Sequence, residues 1–357
     1  MKSTEALHDL GQSLWVDNIT RTMLDDGTLE SYIADLSVTG LTSNPTIFDN
    51  AIGEGEAYDE QMAELREQGL EGEDLFFELA ITDLRRAAEL FKGVDERTDG
   101  VDGRVSLEVS PVFANDGEST ITQAAELWER VEPNFFIKIP GTMAGQGAIE
   151  ESIFAGIPIN VTLLFSTEHY RGAAEAYMRG IRRRIEAGLD PNVASVASVF
   201  ISRWDAAVYD AAPEDLRNTL GLAVGKRTYA AYRELLESDA WLELANEGAR
   251  PQRLLFASTG TKDPDAPDVL YIEGLAAPLT VNTMPEKALL AFAENGEVGE
   301  PIPADGGAAE ATFAAFADAG IDTDAVAAKL QSDGADSFVA SWRALLGTIA
   351  EQQKAVA

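Results

Sequence analysis

Along the chain, short apolar segments rich in β-branched residues alternate with longer segments whose apolar positions recur at i, i+3 and i+4. The short segments predict strands at residues 13–17 (SLWVD), 38–43 (VTGLTS), 104–110 (RVSLEVS), 135–140 (FFIKIP), 159–165 (INVTLLF), 198–202 (SVFIS), 253–258 (RLLFAS) and 279–283 (LTVNT). Between them, stretches such as ITRTMLDDG, EAYDEQMAELREQGL, TITQAAELWERV, TEHYRGAAEAYMRGIRRRIEAG and GKRTYAAYRELLES each carry one apolar stripe, the mark of a helix lying on a core. Eight such strands with covering helices predict an α/β fold, a single (β/α)8 TIM barrel. Chemistry in such barrels gathers at the C-terminal strand ends, so residues there become the candidates.

The two longest connections, residues 44–103 and 203–252, predict inserted helices. Beyond Pro303 a Gly/Ala-rich stretch leads into further helical periodicity. Residues 304–357 are therefore expected to form a C-terminal helical extension packed on one barrel domain spanning 1–357. No linker composition, internal repeat or low-complexity boundary divides the chain.

Charge and cysteine content narrow the partners. With 61 acidic against 27 basic residues the formal net charge is −34. A surface so acidic repels nucleic acid and anionic lipid, so neither is expected as a partner. No apolar run approaches the ~20 residues a membrane span needs. The N-terminal MKSTEALHDLGQSLWVD lacks an apolar secretory core, and the absence of cysteine excludes a thiolate nucleophile, a disulfide framework and a sulfur-ligated metal. A cytoplasmic location is the default expectation, as a monomer or homodimer. A phosphate substrate would need a locally basic site, which a screening length of ~8 Å at physiological salt permits within an acidic protein.

Lys138 stands out, because FFIKIP places one amine in a run that a parallel barrel buries on both faces. Burying an unpaired cation is costly, so this lysine should lose its proton more readily than the ~10.4 of a free side chain. Only the neutral amine attacks a ketone to form a Schiff base. The competing reading is a strand-end lysine whose stem reaches to water. Asp17 ends the first strand ahead of a helix, which suits either a general acid/base or a helix N-cap. Asn44, in GLTSNPTIF, is a substrate ligand or an Asx-turn residue. Glu108 alternates with apolar neighbours in VSLEVS, and a carboxylate inside a barrel needs a partner or a proton-transfer task. Asn160 and Thr162, two apart in INVTLLF, share one strand face and could hold a substrate hydroxyl or a water, or form a structural ladder.

For an anion, Ser198 and Arg203 flank the end of SVFISR, while Ser258, Thr259 and Lys262 lie in ASTGTK after the seventh strand, where barrels of this type cradle phosphate. The two histidines, His8 and His169, lie far apart without ligand spacing, so no metal is expected. No G-x-G-x-x-G follows a strand, and neither G-x-x-x-x-G-K-[ST] nor G-x-S-x-G occurs. NAD, ATP and serine-hydrolase chemistry therefore lack their parts, and no cofactor is expected.

These segments resemble the transaldolase family, in its longer bacterial branch. GLTSNPTIF resembles one family signature, and FIKIPGT leading on to INVTLLFS resembles the second. The likeness continues in order through SVFISR, RLLFASTGTK and TVNTMP, and so covers most of the chain. It implies transfer of a dihydroxyacetone unit from sedoheptulose 7-phosphate or fructose 6-phosphate to glyceraldehyde 3-phosphate or erythrose 4-phosphate, in the non-oxidative pentose phosphate pathway. Lys138 falls on the family's Schiff-base lysine, Asp17 on its acid/base at the C4 hydroxyl, and Glu108 with Thr162 on the pair that handles a catalytic water. Asn44 and Asn160 fall on ligands of the dihydroxyacetone hydroxyls with Ser198 nearby, Phe200 on a pocket wall, and Arg203 and Ser258 on phosphate ligands. One position departs: shorter transaldolases carry arginine two residues after the matching serine, where this chain has Gly260, and Lys262 is the candidate replacement. Fructose 6-phosphate aldolases resemble the same family but carry glutamine where this chain has Glu108. An aldolase that releases free dihydroxyacetone, or a non-catalytic sugar-phosphate binding barrel, are the alternatives.

Overall fold

The computed structural model describes residues 2–355. Eight parallel strands close into a barrel: β1 Gln12–Asp17, β2 Val38–Thr42, β3 Arg104–Glu108, β4 Phe135–Pro140, β5 Ile159–Leu164, β6 Ser195–Phe200, β7 Arg253–Ala257 and β8 Thr280–Met284. Strands β2 through β6 are buried at every position, because one face meets the barrel interior and the other the helices. Side-chain size sets the packing inside. Trp15 on β1 fills the interior, its indole centroid 6.0 Å from that of Phe136 and its Nε1–H donated to Asp102 Oδ1 at 2.7 Å. Its register partner on β2 is Gly40, where an added Cβ would sit 2.5 Å from the indole nitrogen. The close approach of ring to backbone requires glycine there.

All eight expected strands are present, and the sixth is displaced. It spans Ser195–Phe200 rather than 198–202. Ser195, Ala197 and Ser198 give little β signal alone, yet pairing of Ile159 with Ser195 and of Phe200 with Ala257 fixes the register. The amides of Ile201 and Ser202 then bond Ala257 and Ser258 carbonyls as the chain turns into helix Ser202–Val208. Ser198 consequently lies within the strand, not at its end.

The first long connection holds helices Pro45–Gly53, Asp59–Glu67 and Gly72–Arg97; the second holds Ser202–Val208, Leu220–Glu237 and Asp239–Asn246. After residue 304, helix Ala309–Asp318 precedes the long helix Thr323–Ala355. That last helix buries Leu330, Phe338, Trp342, Leu345 and Ile349 along one stripe. Trp342 meets the Phe76 ring edge-on at 4.9 Å, and Thr46 and Asp49 of helix Pro45–Gly53 bond Ser341 and Thr348. Gly334 lies directly over Leu163 and Phe165, so the helix crosses the barrel at the C-terminal end of β5.

Candidate active site

Parallel pairing of β3 with β4 sets Glu108 opposite Lys138, and pairing of β4 with β5 sets Lys138 opposite Asn160. Register partners in a parallel sheet point to the same side, so three polar groups meet inside the barrel. The buried Lys138 Nζ lies 3.0 Å from Glu108 Oε2 and donates to the Ser43 carbonyl at 3.1 Å. The amine is thus paired, where the sequence pattern suggested an unpaired one; which residue lies across the strand boundary depends on register, and register is not written in either strand. Burial holds the Glu108 carboxyl above the ordinary carboxylate range, with the Lys138 charge pulling the other way. Glu108 Oε1 and Thr162 Oγ1, both buried, have no hydrogen-bond partner among the described residues. Asn160 bonds Ser106 Oγ at 3.1 Å and accepts from Ser198 Oγ at 2.7 Å.

Asp17, at the end of β1, accepts a 2.7 Å hydrogen bond from Thr42 Oγ1, and Thr42 and Thr283 hydroxyls lie 2.6 Å apart. Burial raises its carboxyl, opposed by the charge of Lys138, by the Thr42 bond and by the charge of Lys262. Asp17 is not a helix cap: Thr20 caps the next helix, accepting from the Met23 amide. Asn44 does cap its helix, accepting from the Ile47 amide at 3.1 Å, and also lines the cavity, so the two readings of that residue coexist.

The cavity at the C-terminal end of the barrel is about 250 Å³. Asp17, Asn44, Lys138, Thr162, Ser198, Phe200, Arg203, Ser258 and Lys262 all line it. Glu108 and Asn160 touch it through their hydrogen bonds to Lys138 and Ser198 rather than as wall. Arg203 stacks over Phe200 with Cζ 5.4 Å from the ring centroid, and no carboxylate among the described residues lies within salt-bridge distance of it. Burial lowers the pKa of that guanidinium, the expected consequence of a cation held without an anion. Ser258 sits at φ +56, an uncommon conformation for a residue with a side chain, with Oγ 3.0 Å from Ser202 Oγ. Lys262 is exposed at the rim. Thr259 instead bonds Asn282 Oδ1 at 2.8 Å, and Gly260 packs against Pro285.

Eight wall residues escaped the sequence reading, Thr42, Thr283 and Phe338 among them. Thr42 stood two positions before Asn44 in the same segment, and its position at the strand end was the available signal. Phe338 is buried in a helix more than a hundred residues from any other aromatic wall residue, and only the amphipathic stripe of that helix hinted at it. Among the described residues no group of three His, Cys, Asp or Glu side chains could hold a metal ion, and no helix is long and apolar enough to cross a membrane.

An eight-stranded α/β barrel with a buried lysine–carboxylate pair inside it, and cations without a carboxylate partner among the described residues at its C-terminal mouth, defines the class: a barrel enzyme with its cavity at the C-terminal strand ends. Residues 14–349 match the family described as Transaldolase/Fructose-6-phosphate aldolase. A transaldolase of Saccharopolyspora erythraea is 42% identical over 356 residues, covering 98% of this chain and 97% of that protein. A transaldolase of Thermobifida fusca is 44% identical over 358 residues, again covering 98% and 97%. The chain belongs to the transaldolase/fructose-6-phosphate aldolase family.

Proposed function

We propose that this enzyme is a transaldolase that moves a dihydroxyacetone unit from sedoheptulose 7-phosphate or fructose 6-phosphate to glyceraldehyde 3-phosphate or erythrose 4-phosphate. The reaction belongs to the non-oxidative pentose phosphate pathway in the cytoplasm, needs no cofactor, and is carried out by one barrel domain with its C-terminal helical extension. The observation that carries the reading is the 3.0 Å contact of Lys138 Nζ with Glu108, in a cavity that also holds Asp17 and Arg203.

The chemistry follows from those contacts. Glu108, a better proton acceptor for being buried, takes a proton from Lys138, and the neutral amine adds to the C2 ketone. Glu108 returns the proton to the carbinolamine hydroxyl, and water leaves between it and Thr162. The resulting iminium is an electron sink. Asp17 takes the proton of the C4 hydroxyl, the C3–C4 bond breaks, and its electron pair moves to the nitrogen to leave an enamine on Lys138. The aldose phosphate departs, a second one enters, and the same steps run in reverse. Asn44 and Asn160 hold the dihydroxyacetone hydroxyls with Ser198 beside them, Phe200 walls the pocket, and Arg203, Ser258 and Lys262 hold the phosphate. Glu108 favours transfer over the aldolase alternative, whose relatives carry glutamine there.

The test is product analysis with fructose 6-phosphate and erythrose 4-phosphate. Sedoheptulose 7-phosphate and glyceraldehyde 3-phosphate are expected in equal amounts. Free dihydroxyacetone as the main product would indicate an aldolase, and no turnover a binding protein.

A further inference from the structure

Resting on the Schiff-base reading, we infer that Phe338 of the C-terminal helix is the shield that keeps the enamine for the acceptor sugar and away from protons of the solvent. Phe338 is the residue which helix Thr323–Ala355 contributes to the cavity wall. Its buried ring lies 5.7 Å from Lys138 Nζ, 6.0 Å from Arg203 Cζ, and edge-on to Phe200 at 6.4 Å. It therefore lies within about 6 Å of both the amine that carries the three-carbon unit and the cation assigned to the phosphate.

The ring is fixed from two turns away. Gln331, seven residues earlier on the same helix, donates to the Leu163 carbonyl at 3.0 Å and to the Gly141 carbonyl at 3.3 Å. Leu163 sits at φ +60 where the register of β5 with β6 shifts, so its carbonyl is turned out of the ladder and needs a partner from elsewhere. Gly334, between the two, lets the helix backbone down onto Leu163 and Phe165. A strand irregularity at the mouth thus docks the helix, and the docked helix sets the ring.

The chemical consequence concerns one carbon. After C3–C4 cleavage the enamine is nucleophilic at C3, and it can attack an acceptor aldehyde or take a proton there. Protonation there by a solvent water, with the proton that Asp17 removed from the C4 hydroxyl passing to solvent in exchange, gives an iminium. Water adds to that iminium at C2, and dihydroxyacetone leaves as Lys138 is regenerated. The sum is cleavage of a ketose phosphate into dihydroxyacetone and an aldose phosphate, without transfer. An apolar ring over the amine excludes the water chain that would carry protons to C3, whereas the water handled by Glu108 and Thr162 at C2 serves release and transfer alike.

The experiment compares free dihydroxyacetone released from fructose 6-phosphate alone with sedoheptulose 7-phosphate formed when erythrose 4-phosphate is present. In Phe338→Ala and Phe338→Val the release-to-transfer ratio is expected to rise about tenfold, the scale of a modest barrier change between two competing steps. Phe338→Tyr, which keeps the ring, should stay near the unsubstituted enzyme. Gln331→Ala, which frees the docking contact without emptying the core, should move the ratio the same way by a smaller factor. Each variant is also treated with borohydride and substrate to label Lys138. An unchanged ratio in folded variants that still take the label overturns the shield. Absence of the label from the unsubstituted enzyme brings down the Schiff-base reading, and the shield with it.

Discussion

The two ends of the barrel both gather cations in a strongly acidic protein, and they treat them in opposite ways. At the N-terminal end, Arg104 meets Asp95 at 3.5 Å, donates to the Gly100 and Pro133 carbonyls and stacks over Phe136. Arg250 pairs with Asp99 at 2.6 Å, and Arg253 donates to the Thr280 carbonyl and approaches Asp102 at 4.0 Å. Each of these three arginines has an anion and a carbonyl within reach. At the C-terminal end, Arg203 and Lys262 face the cavity with no carboxylate in salt-bridge reach among the described residues, while Asp17 and Glu108 are held above their ordinary pKa by burial. Polar groups that satisfy one another serve stability. Groups left wanting a charge or a proton are open to a ligand that supplies it, the role proposed for them above.

Substitution at each end should separate the two. Lys138→Met should lower kcat/KM on the order of 10⁴-fold or more while the circular dichroism spectrum stays that of the parent, since covalent chemistry is lost and the fold is not. At the opposite mouth, Asp102→Ala removes the acceptor of the Trp15 indole and the carboxylate nearest Arg253. It should cost about 3 kcal/mol in urea unfolding, and leave kcat/KM of the folded enzyme within about twofold. Arg203→Ala should lower kcat/KM for fructose 6-phosphate about 100-fold, through loss of charged hydrogen bonds to the phosphate, without lowering the melting temperature. A loss of stability with unchanged KM would instead put Arg203 among the structural cations. Lys262→Ala should raise KM by only a few fold, because its ammonium is exposed at the rim and screened.

The smallest effect concerns pH. Folding raises the pKa of Asp17, so the folded state holds its proton more tightly than the unfolded chain, and stability falls as pH rises from the ordinary aspartate value of about 4 through the folded one. Asp17→Asn carries no such charge. Its melting temperature should match the parent's below about pH 4 and exceed it by a few degrees above that window, even though turnover is lost. A stabilisation that shrinks with rising pH would reverse the assignment of burial as the dominant cause.

How much of this could be read without coordinates depended on whether the signal was local. Strand identity was local, because FFIKIP or RLLFAS is a buried parallel strand wherever it sits, and the barrel followed from the alternation. The sixth strand slipped because Ser195 and Ala197 are strand residues only by virtue of Ile159 and Leu254 beside them. Part of the cavity lining was legible too, since Lys138 is anomalous in a buried strand, while Asp17 and Arg203 were candidates only by their place near strand ends. Pairing was not. That Glu108 pairs with Lys138, and that Thr42 rather than a helix amide engages Asp17, are consequences of register between strands distant in sequence. Phe338 was the least accessible, because its role depends on how a helix near the end of the chain docks on a bulge in β5.

The most direct test of the central claim is to trap the covalent intermediate. Borohydride added with fructose 6-phosphate, followed by tryptic mass mapping, is expected to place one reduced three-carbon adduct on Lys138 and none on Lys262 or any other amine. A label on a different lysine, or full turnover with no label at all, would contradict the account.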